Sequence, residues 1–200
     1  MMLRNTALLR VVAAVSVVYG LPLPTGFLAL NSTEGLALLS KNDTLRGPFD
    51  GAFIHHTTQQ DKASCGRASA VIVLNGLASV GLVSPVDPTY DPYPYWTQDV
   101  YTADPCVSSN CTAPCTLAQA ARALNCTSGL AVRAIEASEL GEGGLRSLVS
   151  EVCAAPPGLR SFMVANFDRG AVGMPGGGHF SPVAAFSPSK DMALVLDVAR

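Results

Sequence analysis

Three residues of this chain have the types and surroundings that covalent chemistry needs: Cys65, His179 and Asp197. Cysteine attacks carbonyls as thiolate, so a catalytic cysteine needs something that lowers its pKa; a helix amino terminus and a neighbouring imidazolium both do so. The spacing predicts that Cys65 opens a buried helix, because Ala68, Val71, Ile72, Leu74, Leu77 and Ala78 are apolar nearly all round and Ser64 precedes them as a cap. The alternative is a buried structural cysteine. His179 and Asp197 fall on the two arms of a predicted hairpin. Paired residues in a simple hairpin share one centre, and for these two it is Pro188, inside the turn Ser187–Lys190. In that register their Cβ atoms would lie about 4.5–5.5 Å apart, where a carboxylate can fix the imidazole tautomer and stabilise its charged form. A one-residue bulge would spoil the register, and an unrelated surface histidine and strand-end aspartate are the alternative. Gln59, six residues before Cys65, could join the Cys65 backbone N–H in an oxyanion hole. His55 and His56, the only other histidines, lie in a polar lead-in and read as solvated, with a weak metal site as the alternative.

The remaining cysteines, at 106, 111, 115, 126 and 153, are an odd number once Cys65 is set aside, which argues against a complete disulfide framework. Cys106, Cys111, Cys115 and Cys126 do not match a zinc ribbon or finger. As thiolates they would favour zinc, Cu(I) or heavier metals; disulfides or plain thiols are the other readings.

The elements that must position these groups follow from composition and pattern. Two hundred residues suffice for one domain with a real core. Hydrophobic residues make up 48% and charged residues 14%, and the net charge of -2 forms no basic stripe, which excludes nucleic acid as an expected partner. At the amino end Arg4 and Arg10, the apolar run Val11–Val18 and the small Gly20 read as a targeting segment over residues 1–20, with a buried first helix or a terminal extension as alternatives. The run is shorter than the roughly 20 residues a membrane span requires. Sequons begin at Asn31, Asn42, Asn110 and Asn125. They point with the leader to a secretory compartment.

Beyond the leader, Ser32 is placed to cap a helix over Gly35–Leu39, and residues 41–52 read as loop. Residues 84–98 read as an aromatic, proline-rich loop and Cys106–Cys115 as a tight loop. Thr116 should start a helix to Leu124. Strands are expected over Leu130–Ile135 and Phe162–Phe167, a helix over residues 143–153, and the hairpin His179–Phe186 with Met192–Val198. Five glycines fall within Gly170–Gly178. Helices first and an antiparallel sheet last give the α+β class.

Gln59 with Cys65-Gly66, then Gly178-His179-Phe180-Ser181-Pro182, then Asp191 through Asp197 to Arg200 closely resemble the phytochelatin synthase family of papain-like transferases. Leu21–Pro24, Glu34-Gly35, Val73-Leu74-Asn75, Trp96-Thr97 and Arg169-Gly170 extend the likeness over residues 21–200. The resemblance implies a papain-like fold, with a helical amino-terminal lobe carrying the cysteine and an antiparallel sheet carrying His179 and Asp197. It also implies transfer of γ-glutamylcysteine from glutathione to a second glutathione or a growing phytochelatin, with Cys65 as nucleophile, His179 as base, Asp197 orienting it and Gln59 on the oxyanion. Gly178 and Arg200 would contact substrate, and Cd²⁺ or Zn²⁺ would enter largely as metal–glutathione thiolate. The family's catalytic domain continues beyond Arg200, so the chain reads as a truncated form, and its leader leaves the compartment open between extracytoplasmic and cytoplasmic. A glutathione hydrolase with the same triad is the nearest alternative, then a thiol-rich metal-binding protein without catalysis, then a general papain-like protease.

Overall fold

The computed structural model describes residues 10–13, 23–90, 94–111, 114–156 and 161–199. Strands β1 (Arg10–Ala13) and β2 (Leu28–Ala29) precede the helices α1 (Thr33–Leu39), α2 (Phe49–Phe53), α3 (Cys65–Ala78), α4 (Gln98–Ala103), α5 (Pro105–Asn110), α6 (Leu117–Ser128) and α7 (Ala137–Ala154). Strands β3 (Met163–Asp168), β4 (Gly178–Ser187) and β5 (Met192–Val195) close the chain. They form one sheet in the order β2-β1-β5-β4-β3, antiparallel across β3, β4 and β5. The α+β reading stands. Arg10–Ala13, which the sequence places in a leader, runs parallel to both β5 and β2 and covers the β5 edge. The rest of residues 1–20 lies outside the described residues. No described helix is long and apolar enough to cross a membrane.

The local chemistry accounts for most of these elements. Ser32 caps α1 by accepting from the Gly35 N–H at 3.0 Å, and Thr116 and Gln119 form a reciprocal capping box at the start of α6. The apolar surround of α3 has the consequence the sequence predicts. One side packs with Ala184 and Leu194 of the sheet and with Leu30 and Leu196 beside it, the other with Trp96 and with Tyr101, Val107 and Ala123 of the later helices. Asn75 of α3 donates to the Trp96 carbonyl at 2.9 Å and accepts from its N–H at 2.7 Å, which pins the aromatic loop to the helix.

Four local expectations fail. Residues 49–53 are helical rather than loop, the cysteine segment 105–110 is helix α5, and Leu130–Ile135 forms no strand. None of its residues is buried, so its alternation has no core to face. Ser64 does not cap α3: its hydroxyl donates to the Asp61 carbonyl and accepts from the Asp61 N–H, closing the turn before the helix instead.

Candidate active site

Cys65 is the first residue of α3, 9% exposed and packed against β4. His179 and Asp197, 4% and 1% exposed, stand at the start of β4 and just past the end of β5. His179 Nε2 lies 2.8 Å from Asp197 Oδ1, and the same imidazole stands beside the Cys65 thiol, whose pKa it lowers. With Nε2 committed to the carboxylate, Nδ1 is the nitrogen left for sulfur. The structure therefore brings all three sequence-predicted residues together.

It does so in a different register from the one expected. Near the turn Ser187 pairs with Met192, Phe186 with Ala193 and Ala185 with Leu194, which centres the hairpin between Ser189 and Lys190 rather than on Pro188. An irregularity at Ala184 then shifts the ladder, so that Val183 pairs with Val195. Carried on from there, Ser181 stands opposite Asp197 and His179 is its diagonal neighbour, within reach of long side chains. The bulge is what makes this possible. Had the turn-proximal register continued, Asp197 would oppose Pro182 and project from the face opposite to His179, because a one-residue slip exchanges the faces of a strand.

The electrostatics of the row are consistent with an ionisable nucleophile. Burial opposes ionisation of Cys65, but the hydrogen bond with His179 and the Phe180 and Gly66 backbone groups outweigh it, and the thiol pKa falls below its ordinary value. Burial likewise opposes the charged form of His179, yet its bonds to Asp197 and Cys65 raise its pKa. Asp197 overcomes burial through His179, the Ala199 N–H at 2.9 Å and the nearby Arg169, and is held far below the usual carboxylate range.

Three neighbours escaped the sequence reading of the site. Arg169, which follows β3 and is 5% exposed, places Nη1 3.2 and 3.3 Å from the two Asp197 oxygens and donates from Nε to the Pro175 carbonyl. Phe167 is the β3 partner of His179 and meets its ring edge to face, with centroids 5.6 Å apart. His56, expected to be solvated, is half-buried against the Asp197 backbone, and burial lowers its pKa against the pull of that carbonyl and charge. No local pattern marks an arginine between a strand and a glycine-rich loop as buried; only the position of β5 does.

The other predicted residues divide. The Gln59 N–H donates to the Val198 carbonyl at 2.7 Å, which ties it to the Asp197 segment, while its side-chain nitrogen donates to the Asp61 carbonyl at 2.7 Å. An amide nitrogen carries two hydrogens, so one remains for a substrate oxygen. Gly178 pairs with Asp168 at the exposed start of β4. Arg200 lies outside the described residues. The reading of Cys106, Cys111, Cys115 and Cys126 as metal ligands is corrected: they form the disulfides Cys106–Cys126 and Cys111–Cys115, and a bridged sulfur is not a thiolate ligand. Cys153 remains as the odd free thiol, buried, with its pKa pushed up to about 12 by burial. Among the described residues no group of three or more His, Cys, Asp or Glu side chains could hold a metal ion.

Comparison with known proteins shows the family. The phytochelatin synthase family model matches residues 18–200. The chain is 27% identical over 172 residues to glutathione gamma-glutamylcysteinyltransferase 1 of Triticum aestivum, covering 84% of this chain and 33% of that protein. It is 27% identical over 174 residues to the Arabidopsis thaliana protein of the same name, covering 85% and 34%. With glutathione gamma-glutamylcysteinyltransferase 1 of Lotus japonicus it shares 29% identity over 147 residues, covering 72% and 27%. The chain thus spans about a third of the length of the first two of these relatives. Matched by the family model over nearly all of its own length, this chain belongs to the phytochelatin synthase family.

Proposed function

We propose that the protein is a glutathione γ-glutamylcysteinyltransferase working through a γ-Glu-Cys acyl-enzyme on a papain-like arrangement of helix and sheet. The observation that carries this reading is the row Cys65, His179 and Asp197, with the thiol on the imidazole and Nε2 2.8 Å from the carboxylate. Cys65 gives its proton to His179 and attacks the Cys–Gly peptide carbonyl of glutathione. The developing oxyanion is met by the Cys65 N–H at the start of α3 and by the remaining Gln59 N–H. His179 passes its proton to the departing glycine nitrogen, leaving a thioester on Cys65. The α-amine of a second glutathione then attacks, His179 takes its proton, and Cys65 is released with one more γ-Glu-Cys unit on the acceptor. Cadmium or zinc enters as the metal–glutathione thiolate, hence as substrate. Gly178 and Arg200 are proposed to contact substrate, Arg200 through a carboxylate.

Incubation with glutathione and Cd²⁺, followed by mass separation of the products, tests this reading. Peptides with two or more γ-Glu-Cys units support transfer. Glycine and γ-Glu-Cys alone would make the protein a hydrolase with the same nucleophile. Absence of glycine release from protein with a free Cys65 thiol would remove both. Cleavage of casein but not of glutathione would point to a general protease instead.

A further inference from the structure

The Cys111–Cys115 disulfide lies against the nucleophile's own helix turn. A Cβ built on Gly66, the residue after Cys65, would meet the Phe180 ring at 3.5 Å and Cys115 Sγ at 3.6 Å. The Phe180 ring and a sulfur of the bridge therefore both border the space beside the Gly66 Cα, in the first turn of α3. Cys111 is buried and Cys115 half-buried in the second core cluster, with Ala70, Val71 and Leu74 of α3. Two N–H groups that define the nucleophile's surroundings, those of Cys65 and Gly66, sit in this turn. If glutathione is the substrate, the protein's own substrate is also a reductant for this bridge.

We infer that the Cys111–Cys115 bridge is a thiol-exchange site for low-molecular-weight thiols, and that its reduction loosens the Cys65–Gly66 turn and lowers activity. This rests on the proposed glutathione reading. A thiolate attacks the half-buried Cys115 sulfur, forming a mixed disulfide and expelling the Cys111 thiolate, which takes up a proton. A second thiolate attacks the sulfur of the small molecule in that mixed disulfide, giving the dimeric disulfide of the thiol and a free Cys115 thiol after protonation. Two electrons pass from the two small thiols to the bridge, and nothing else is needed. The Cys106–Cys126 bridge ties α5 to α6 and gives the contrast, because its sulfurs are not the ones that meet Gly66.

The test uses S-methylglutathione, which keeps the scissile peptide but has no thiol with which to reduce the protein. Glycine release is measured on the full chain before and after treatment with a phosphine, with differential alkylation and peptide mapping to report the state of each cysteine, Cys65 included. Reduction of Cys111 and Cys115 with Cys65 still free should lower glycine release roughly tenfold, as a small misplacement of a nucleophile does. Reoxidation should restore it. The double variant Cys111→Ser/Cys115→Ser should be low throughout and indifferent to phosphine, whereas Cys106→Ser/Cys126→Ser should keep the response. Unchanged glycine release with both sulfurs mapped as reduced overturns the inference and leaves the glutathione reading intact. If no state releases glycine even from glutathione itself, it is the glutathione reading that fails. Should the first double variant not fold, the wild-type reduction series decides alone.

Discussion

Replacing Arg169 by methionine tests whether the buried arginine sets the protonation of the catalytic row or only packs beside it. Methionine keeps an apolar stem of similar length and removes the charge 3.2 Å from an Asp197 oxygen. Breaking a buried pair by removing one partner costs about 3–5 kcal/mol. Here the loss should fall at the low end, about 3 kcal/mol, because Asp197 keeps His179 and the Ala199 N–H. The more informative consequence is electrostatic. Arg169 reaches His179 only through the shared carboxylate, a separation of roughly 7 Å, where a unit charge acts with about 2 kcal/mol at an effective dielectric constant near 20. Removing it leaves the carboxylate less compensated, so the imidazolium gains and the His179 pKa rises further, by about one and a half units. The alkaline limb of kcat/KM for glycine release, which reports deprotonation of His179 in the free enzyme, should move up by the same amount. The measurement is a pH–rate profile of Arg169→Met against wild type, with a urea melt to confirm the stability loss. Arg169→Lys, which keeps the charge but not the fork, should leave that limb near its wild-type position. A folded Arg169→Met protein with an unmoved alkaline limb would refute the electrostatic role.

Four further outcomes follow from the same geometry. Cys65→Ser should fold and lose glycine release by at least about a thousandfold, since a serine hydroxyl is a far weaker acid and nucleophile than a thiol; steady-state assay with circular dichroism checks both halves. Asp197, whose folded pKa is depressed, contributes stability that is present above its unfolded value of about 3.9 and lost as pH falls through the folded one, so urea stability should decline in that acid window and decline less in Asp197→Asn. His179 has the opposite sign: its raised pKa stabilises fully below about 6.5, and that part is lost as pH rises through the folded pKa, an effect absent from His179→Ala. Gly35→Ala should cost about 2 kcal/mol or more by thermal or urea melt, because its Cβ would meet the Ala29 carbonyl oxygen at 2.2 Å and force α1 off β2.

The place of Cys65 was legible because two independent signals meet there: the apolar surround of α3 and its position at the helix start. The histidine and aspartate were legible as hairpin partners, although the arithmetic that joined them assumed a ladder without irregularity. A bulge at Ala184 leaves no mark in an alanine pair between a proline-valine step and a phenylalanine, so the register could not be read. Likewise the sequence shows five cysteines beyond Cys65 but not which side chains approach, since Cys106 and Cys126 meet only after α5 and α6 pack. Burial of Arg169 and His56 is of the same kind. Both sit in polar stretches and are covered by strands or loops distant in sequence.

These late-arriving contacts decide where the proton stops. From Arg169 through Asp197 and His179 to Cys65 the row alternates in sign when the thiol is ionised, and its total charge does not change when the proton returns from imidazole to sulfur. Proton transfer inside the row therefore creates no uncompensated charge in a poorly solvated place, where a lone charge would be expensive. The proton could in principle pass on to Asp197, which would leave a neutral imidazole and a thiolate facing nothing. Arg169 and the Ala199 N–H oppose this by holding the carboxylate far below its ordinary range; in the proposed reaction that keeps the proton on His179, next to the sulfur. A triad without the arginine would still have its three side chains in contact. Its histidine would instead hold the proton more tightly, and under the proposed mechanism would give it up less readily to departing glycine.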